Sequence, residues 1–432
     1  MNKKTFLTCI ALMLFFISSM GQSSNSTPEV KYRRSSLHTI IVESDYFPYK
    51  DTVLKAYFNA PFPDKYNNHT IGEKSFNPRE YSLSAAEKAE IKNKSTKKND
   101  SSYKMLPIQI DKYLKNNKIA NKLVAKWFDR QEDGSFDMNL IGERGSYNAS
   151  EMQANIAKGS ARGISSLADA GVELIGNTFV VVSKFNFVSN EITAAVLRDG
   201  AKLAAEKLPP SLQQAAKDAA DKAYEKAKEG YSVWTTSYLY KLVWNDSIEA
   251  VFYNDLWMDK TNIDPKKKEA FDNTDLFKLE FLGDERATGL VLFSLKEKRT
   301  QEQIISEATV RTVDAVYTKL QKKYDVFKPK TPLYTGYPIT AKIGMKEGLK
   351  GGEKFEVFEQ TIDEKTGKTI YVSKGKIKVK NNLIWDNRFN AGDAKTEATN
   401  NDSSSTAKPV IDRTTFKGGK KYYSGMLIKQ IK

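Results

Sequence analysis

Cysteine is all but missing from this 432-residue chain, with Cys9 the single example, and histidine is nearly as scarce, with only His38 and His69. Without a second thiol no disulfide can form within the chain, so stability must come from burial. The same shortage all but excludes a metal site of the usual imidazole or thiolate kind, and with it Cys–His catalysis and most Ser–His–Asp arrangements. His38 and His69 both fall in the first hundred residues, and nothing in the sequence marks them as a pair. A catalyst built from Asp, Glu, Ser, Lys or Tyr stays open. Long apolar runs are lacking too: beyond the N terminus none reaches the roughly 18 uncharged residues that a membrane span needs. Arginine is sparse beside lysine, although Lys and Arg total 68 against 53 acidic residues, a formal charge of +15. Bidentate phosphate and base contacts favour arginine, so no nucleic-acid partner is expected. An excess of lysine suits an anionic surface or polysaccharide, or forms a plain solvated face.

What is present begins with an address. Lys3 and Lys4 precede an apolar run from Leu7 to Ile17, followed by the small residues Ser18, Ser19 and Gly21. A basic end, an apolar centre too short to span a bilayer and a small-residue exit read as a secretory signal peptide over residues 1–22, cut after Gly21. Cys9 lies inside it, too early for a lipid-attachment cysteine, so the mature chain has no thiol. Removing Lys3 and Lys4 lowers the net charge by two, to +13. The 40% hydrophobic and 11% aromatic content is that of a globular protein with room for two or three domains.

Residues 23–110 read as an N-terminal extension with a polar linker at 84–104, a short strand near Thr39–Val42 and a rigid turn at Ala60–Asp64. Residues 111–328 read as an α/β domain. Its pattern gives a helix over Asp111–Phe128, a strand at Phe136–Ile141, a helix from Ser150 to Gly171 and a buried strand through Phe179–Val182. A helical hairpin follows over 191–229. Ile192, Val196, Leu203 and Leu208 mark its first helix up to Pro209-Pro210, and Leu212 with Ala215, Ala219, Ala223 and Ala227 mark a narrow seam on its second. Trp234–Trp244 and Ile248–Trp257 read as a β-hairpin around Asn245-Asp246-Ser247. Strands are expected at Leu276–Leu282 and Gly289–Leu295, then a long helix capped by Thr300 and Gln303. Residues 333–432 alternate in short strands and glycine turns, a small all-β, SH3-like barrel with strands at 354–362, 369–372, 376–379 and 426–431. Residues 392–409 form a low-complexity loop.

Chemical motifs are weak. Ser101-Ser102-Tyr103-Lys104, Ser146-Tyr147-Asn148 and Lys365-Thr366-Gly367 follow the order of the S-x-x-K, S-x-N and K-T-G elements of penicillin-binding enzymes, but Ser101 lies in a polar linker and Lys365 in a turn of another domain. Gly367-Lys368-Thr369 lacks the first glycine of a phosphate loop, where Ile362 stands. Asp129–Gly134 hints at a calcium loop, yet Gln131 and Leu140 occupy ligand positions, so a turn is expected. Trp234, Tyr238, Tyr240, Leu242 and Trp244 share one strand face and suit either a core or a sugar platform.

Gly348–Phe358, the Lys365-Thr366-Gly367 turn and the Gly375–Val379 strand together resemble the small C-terminal β-module of flagellar assembly protein T and related envelope proteins, over about the last quarter of the chain. The segments Ala125–Phe128 and Gly171–Val182 resemble a group of secreted, uncharacterised proteins of Bacteroides-like bacteria, a likeness that runs through most of the chain. In layout the chain is also similar to the α/β domain of curli-secretion-channel proteins. The hairpin at 191–229 departs from the named families, so assembly state and partner do not carry over.

The expectation is an exported, non-enzymatic cell-envelope protein, periplasmic or associated with the outer membrane, acting in assembly or interaction. Its expected partners are other envelope proteins or further copies of itself. No catalytic, cofactor-binding or metal residue is nominated, and no cofactor is expected. The alternatives are a carbohydrate-binding protein or hydrolase using the aromatic face at 234–244 and, more remotely, a penicillin-binding-type serine enzyme. N-terminal sequencing of exported material should give a chain beginning at Gln22; an intact Met1 would contradict the signal peptide.

Overall fold

The computed structural model describes residues 32–94, 101–147, 173–228, 230–292, 299–363, 369–391 and 411–431. The signal segment, the Ser150–Gly171 helix, the Lys365-Thr366-Gly367 turn and the 392–409 loop lie outside the described residues. The chain runs through β1 (Ser36–Val42), α1 (Lys50–Asn59), β2 (Asn67–Asn68), β3 (Ser75–Phe76), α2 (Ala85–Lys94), α3 (Ser101–Asn116), α4 (Ile119–Trp127) and α5 (Asn139–Tyr147). It continues with β4 (Thr178–Ser189), α6 (Asn190–Ala205), α7 (Pro210–Lys228), β5 (Gly230–Leu242), α8 (Asp246–Val251), α9 (Pro265–Asn273), β6 (Leu279–Leu292) and α10 (Gln301–Lys323). The remaining strands are β7 (Thr331–Gly336), β8 (Ile339–Ala341), β9 (Lys354–Ile362), β10 (Thr369–Val379), β11 (Thr414–Lys417) and β12 (Leu427–Gln430).

The first sheet has the order β2-β1-β4-β5-β6, with β3 also on β1. Its β1 and β4 are parallel, whereas β4, β5 and β6 are antiparallel neighbours. Strand period two sends alternate residues to opposite faces, and here both faces are covered. Ile40, Val42, Val180, Val182, Tyr238 and Tyr240 bury against Leu106, Ile110 and Tyr113 of α3 and Leu123 of α4. Leu37, Phe179, Val181 and Leu239 point the other way, onto Val316, Tyr317 and Leu320 of α10. Ile41, Phe185 and Val233 complete that second face against Val53 of α1 and Ile305 of α10. The result is a mixed α/β sandwich of three layers. Residues ahead of 111, expected to form an extension, therefore supply β1, which lies inside the sheet.

Several elements differ from expectation for local reasons. The 111–128 helix is two, α3 and α4, broken where Lys118 adopts φ 50°. The Lys118 ammonium holds the break by donating to Asn273 O and Thr274 O at 3.1 Å. Phe136–Ile141 is not a strand: Asp137 Oδ1 accepts the Asn139 N–H at 2.9 Å and starts α5. The Trp244 hairpin is absent because Asn245 Oδ1 accepts Ile248 N–H, which makes Asn245-Asp246-Ser247 the cap of helix α8 rather than a turn. Phe252 and Leu256, which follow, enter an aromatic core with Trp127, Phe128, Phe136 and Phe271. The two strands expected at 276–295 merge into β6, continuous through Gly283 at φ 140°, and those at 369–379 merge into β10, which bulges between Ser373 and Gly375. The capping box of α10 is as expected: Thr300 Oγ1 accepts Gln303 N–H and Gln303 Oε1 accepts Thr300 N–H.

The C-terminal strands close into a six-stranded antiparallel barrel, β10-β11-β8-β7-β12-β9. Its core is its own, with Leu333, Ile343, Phe355, Val357, Ile377, Phe416 and Ile428 among those facing inward. Hydrogen bonds tie the barrel to the sandwich. Thr318 Oγ1 of α10 donates to Lys346 O at 3.1 Å, and Arg311 Nη2 to Phe389 O at 2.9 Å.

Helix α10 lies close against the sheet at Gly289, where a Cβ would lie 3.0 Å from Ala308 O and overlap the Thr312 side chain. Gly289→Ala should therefore push the helix off the sheet and destabilise the protein by about 1–3 kcal/mol. Urea denaturation measures this, and an unchanged midpoint would contradict the packing.

Candidate functional site

Helices α6 and α7 form an arm between β4 and β5. Ser189 caps α6 by accepting Glu191 N–H, and Asn190 anchors its base, taking a 2.5 Å hydrogen bond from Ser232 Oγ of β5. Pro210 begins α7 after a four-residue corner, residues 206–209. Lys202 pairs with Asp221 at 2.6 Å and Lys217 with Glu206 at 3.3 Å, while the Arg198 guanidinium lies 4.4 Å from the Tyr224 ring centre. These pairs step in opposite senses along the two helices, so the helices are antiparallel, as expected.

The seam buries Ala194, Ala205 and Ala220, whereas Ala215, Ala219 and Ala223, expected to line it, are exposed, because the Lys217, Asp221 and Tyr224 face of α7 turns toward α6 instead. Ile192, Val196 and Leu203 share one stripe of α6, away from the face that carries Arg198 and Lys202 to α7: they are 71%, 66% and 64% exposed. Leu197, Leu208 and Leu212 are exposed as well. An arm with this many uncovered aliphatic side chains is an interaction surface by composition.

A second feature follows from strand order. The chain leaves β1 through α1 toward β2 and β3 on one side, while β4 lies parallel on the other. The carboxyl ends of parallel strands on either side of such a reversal frame a crevice. A cleft of 760 Å³ occupies that position, lined by Glu43–Phe47, Lys50, Ser75, Arg79 and Lys184–Asn186 among others. Its polar groups are mostly held by one another. Glu43 accepts from Ser75 Oγ at 2.9 Å, Asp45 pairs with Arg79, and Lys50 donates to Ser44 O at 2.6 Å. Tyr46 stands on the rim, 86% exposed.

The two histidines are neighbours, which their spacing did not reveal. His69 stacks on Trp127, with ring centres 4.7 Å apart. Its Nε2 lies 2.9 Å from Leu123 O and its Nδ1 2.9 Å from Arg144 Nη1. His38 accepts Ile71 N–H at Nδ1, while its Nε2 has no hydrogen-bond partner. Burial pushes the His38 imidazole down to about 4 and holds His69 well below its ordinary value, helped by Arg144. Both rings are therefore neutral near pH 7 and structural in setting.

The remaining motifs are dispersed. Ser101 and Lys104 lie in the first turn of α3 and Ser146 in the last turn of α5, whereas Asn148 and Lys365–Gly367 lie outside the described residues. Asp129–Gly134 is a turn, as expected, with Asp133 Oδ1 accepting from Ser135 N and Oγ. Tyr238, Tyr240 and Leu242 of the aromatic strand face are buried in the core. Among the described residues no group of three His, Cys, Asp or Glu is placed to hold a metal, and no helix is long and apolar enough to cross a membrane.

No known protein-family model matches the chain, and no curated protein matches it significantly.

The histidine setting fixes a pH response. Unfolded imidazoles titrate near 6.5, while folded His38 resists protonation until about 4. In that window the unfolded chain binds more protons, so the contribution of neutral His38 is full above about pH 6.5 and is lost as pH falls toward 4. His38→Gln should remove up to about 3 kcal/mol of that loss. Urea midpoints between pH 4 and 8 measure it; parallel curves for both proteins would contradict it.

Proposed function

We propose that the protein is an exported, non-enzymatic component of the cell envelope, periplasmic or at the outer membrane, that works by assembling with further copies of itself through the α6–α7 arm. The observation that carries this reading is the row of exposed aliphatic side chains on the arm, Ile192, Val196 and Leu203, with Leu208 and Leu212 at its corner.

Charge favours a second copy as the occupant. Residues 190–228 hold seven lysines and arginines against six acidic residues, whereas the whole chain carries +15. Two strongly basic molecules repel over most of their surfaces and least at this near-neutral arm. An anionic surface would be drawn elsewhere. Two antiparallel hairpins packed through their apolar stripes make a four-helix bundle, which buries the exposed side chains and leaves the Lys202–Asp221 and Lys217–Glu206 pairs at its rim. The export half of the proposal rests on the basic-apolar-small order of residues 1–22, and the barrel is read as an SH3-like docking module on its glycine-turn pattern.

Sedimentation equilibrium at micromolar concentration tests the assembly. The purified full chain should be dimeric or larger, and Ile192→Asp with Val196→Asp should give monomers that melt within a degree or two of the parent, since both positions are exposed. A parent that stays monomeric at tens of micromolar would overturn the reading.

A further inference from the structure

Beside the cleft, under the carboxyl-terminal end of α1, lies a recess of 170 Å³. Its wall is largely aromatic, with Tyr57 and Phe58 from α1, Phe62 from the following turn and Tyr317 from α10. One carboxyl group, Asp314 of α10, joins that lining and makes no hydrogen bond or ion pair among the described residues. The charges that face it are taken by others. Lys346, at the barrel's edge, sits 3.5 Å from Asp64, which also holds Lys65 at 3.1 Å. Arg311, one turn earlier on α10, pairs with Glu307. Glu347 accepts from Gly344 N at 2.6 Å and Asn387 Nδ2 at 2.9 Å. Lys74, itself exposed, also lines the recess and adds one cation to its wall.

A carboxylate that no cation meets in a direct ion pair, with Lys346 the main positive charge acting on it from farther off, sits here beside aromatic faces, a setting that fits a soft positive charge because the ring faces carry negative potential. An inorganic divalent ion fits poorly, since calcium takes six to eight oxygen ligands and the recess offers one carboxyl group and two threonine side chains. The volume lies below the roughly 300–1,000 Å³ of sites for drug-sized molecules. The geometry points to this recess as a binding site for a small organic ammonium ion, with its charged head on the Asp314 carboxylate and its methyl or methylene groups against Tyr57, Phe58, Phe62 and Tyr317. The site is independent of the arm, so each proposal stands or falls alone.

Burial raises the Asp314 carboxyl to about 7, opposed mainly by Lys346 and reinforced by Glu347 and Asp64. A proton and the ligand therefore compete for the same group, and affinity should rise with pH. Choline is a suitable probe because its quaternary charge does not titrate. In calorimetric titrations of the full chain, choline should bind about tenfold more tightly at pH 8 than at pH 6, following the ionised fraction of Asp314. Asp314→Asn should lose at least tenfold at pH 8 and all of the pH dependence, and Phe62→Ala should weaken binding while keeping the pH dependence. Urea denaturation checks that both variants fold, and should Asp314→Asn fail to fold, the pH dependence of the parent and of Phe62→Ala decides. Absent choline binding at pH 8, equal affinity at the two pH values, or an Asp314→Asn that binds like the parent would each overturn the assignment.

Discussion

Helix α10 is the element on which the two halves of the molecule depend, because it is packed on two sides. Toward the sheet it buries Ile305, Val316 and Leu320, each fully covered, and Gly289 lets its backbone come close. Away from the sheet it carries Thr318 and Arg311, whose hydrogen bonds reach the barrel at Lys346 and Phe389. Between the two, Glu307 is buried beneath Arg299 and Arg311, a charge that would be costly if either partner left. A helix capped at Thr300 and buried for most of its length is a rigid strut. Both the barrel's position and the shape of the Asp314 recess follow from it.

The parts legible in the sequence were those where one local signal dominates. The capping box of α10, the β-branched run at Phe179–Val182 and the alternation of β9 each have a single reading. Asn245-Asp246-Ser247 has two, since the same residues that turn a hairpin also cap a helix, and the tertiary demand for Phe252 in the aromatic core selected the helix. The arm shows a subtler limit. Spacing located both helices, but spacing says only that apolar residues share a stripe, not which stripe faces in. Charged and aromatic pairs between the helices turned a neighbouring face of α7 inward, so the expected stripe of Ala215, Ala219 and Ala223 was left outside together with the larger aliphatics of α6. The cleft and the His38–His69 neighbourhood were beyond reach altogether. The cleft arises from the parallel pairing of β1 with β3 and β4, and the histidine neighbourhood from that of β1 with β2, long-range registers that no local pattern encodes.

Charge and burial divide the surface into regions with different capacities. The chain as a whole is strongly cationic, yet the arm is nearly neutral and rich in uncovered aliphatics, a combination suited to like meeting like. The cleft at the strand ends is polar and largely satisfied within itself. The recess holds the opposite condition, an acid without a direct hydrogen bond or ion pair among the described residues. Two buried titrations also run against each other. Neutral His38 favours the fold as pH rises from about 4, whereas Asp314, raised to about 7, takes stability away as pH rises from its ordinary range to about 7, where the unfolded chain has lost a proton that the fold keeps.

The central claim, that copies of the chain meet through the α6–α7 arm, is tested most directly by hydrogen–deuterium exchange measured across protein concentration. Assembly through the arm should slow amide exchange in residues 190–228 as concentration rises from below to above the association range, while the barrel and the β4–β5 pairing exchange at an unchanged rate. Exchange in the arm that is fast at every concentration, or new protection confined to another surface, would contradict the account.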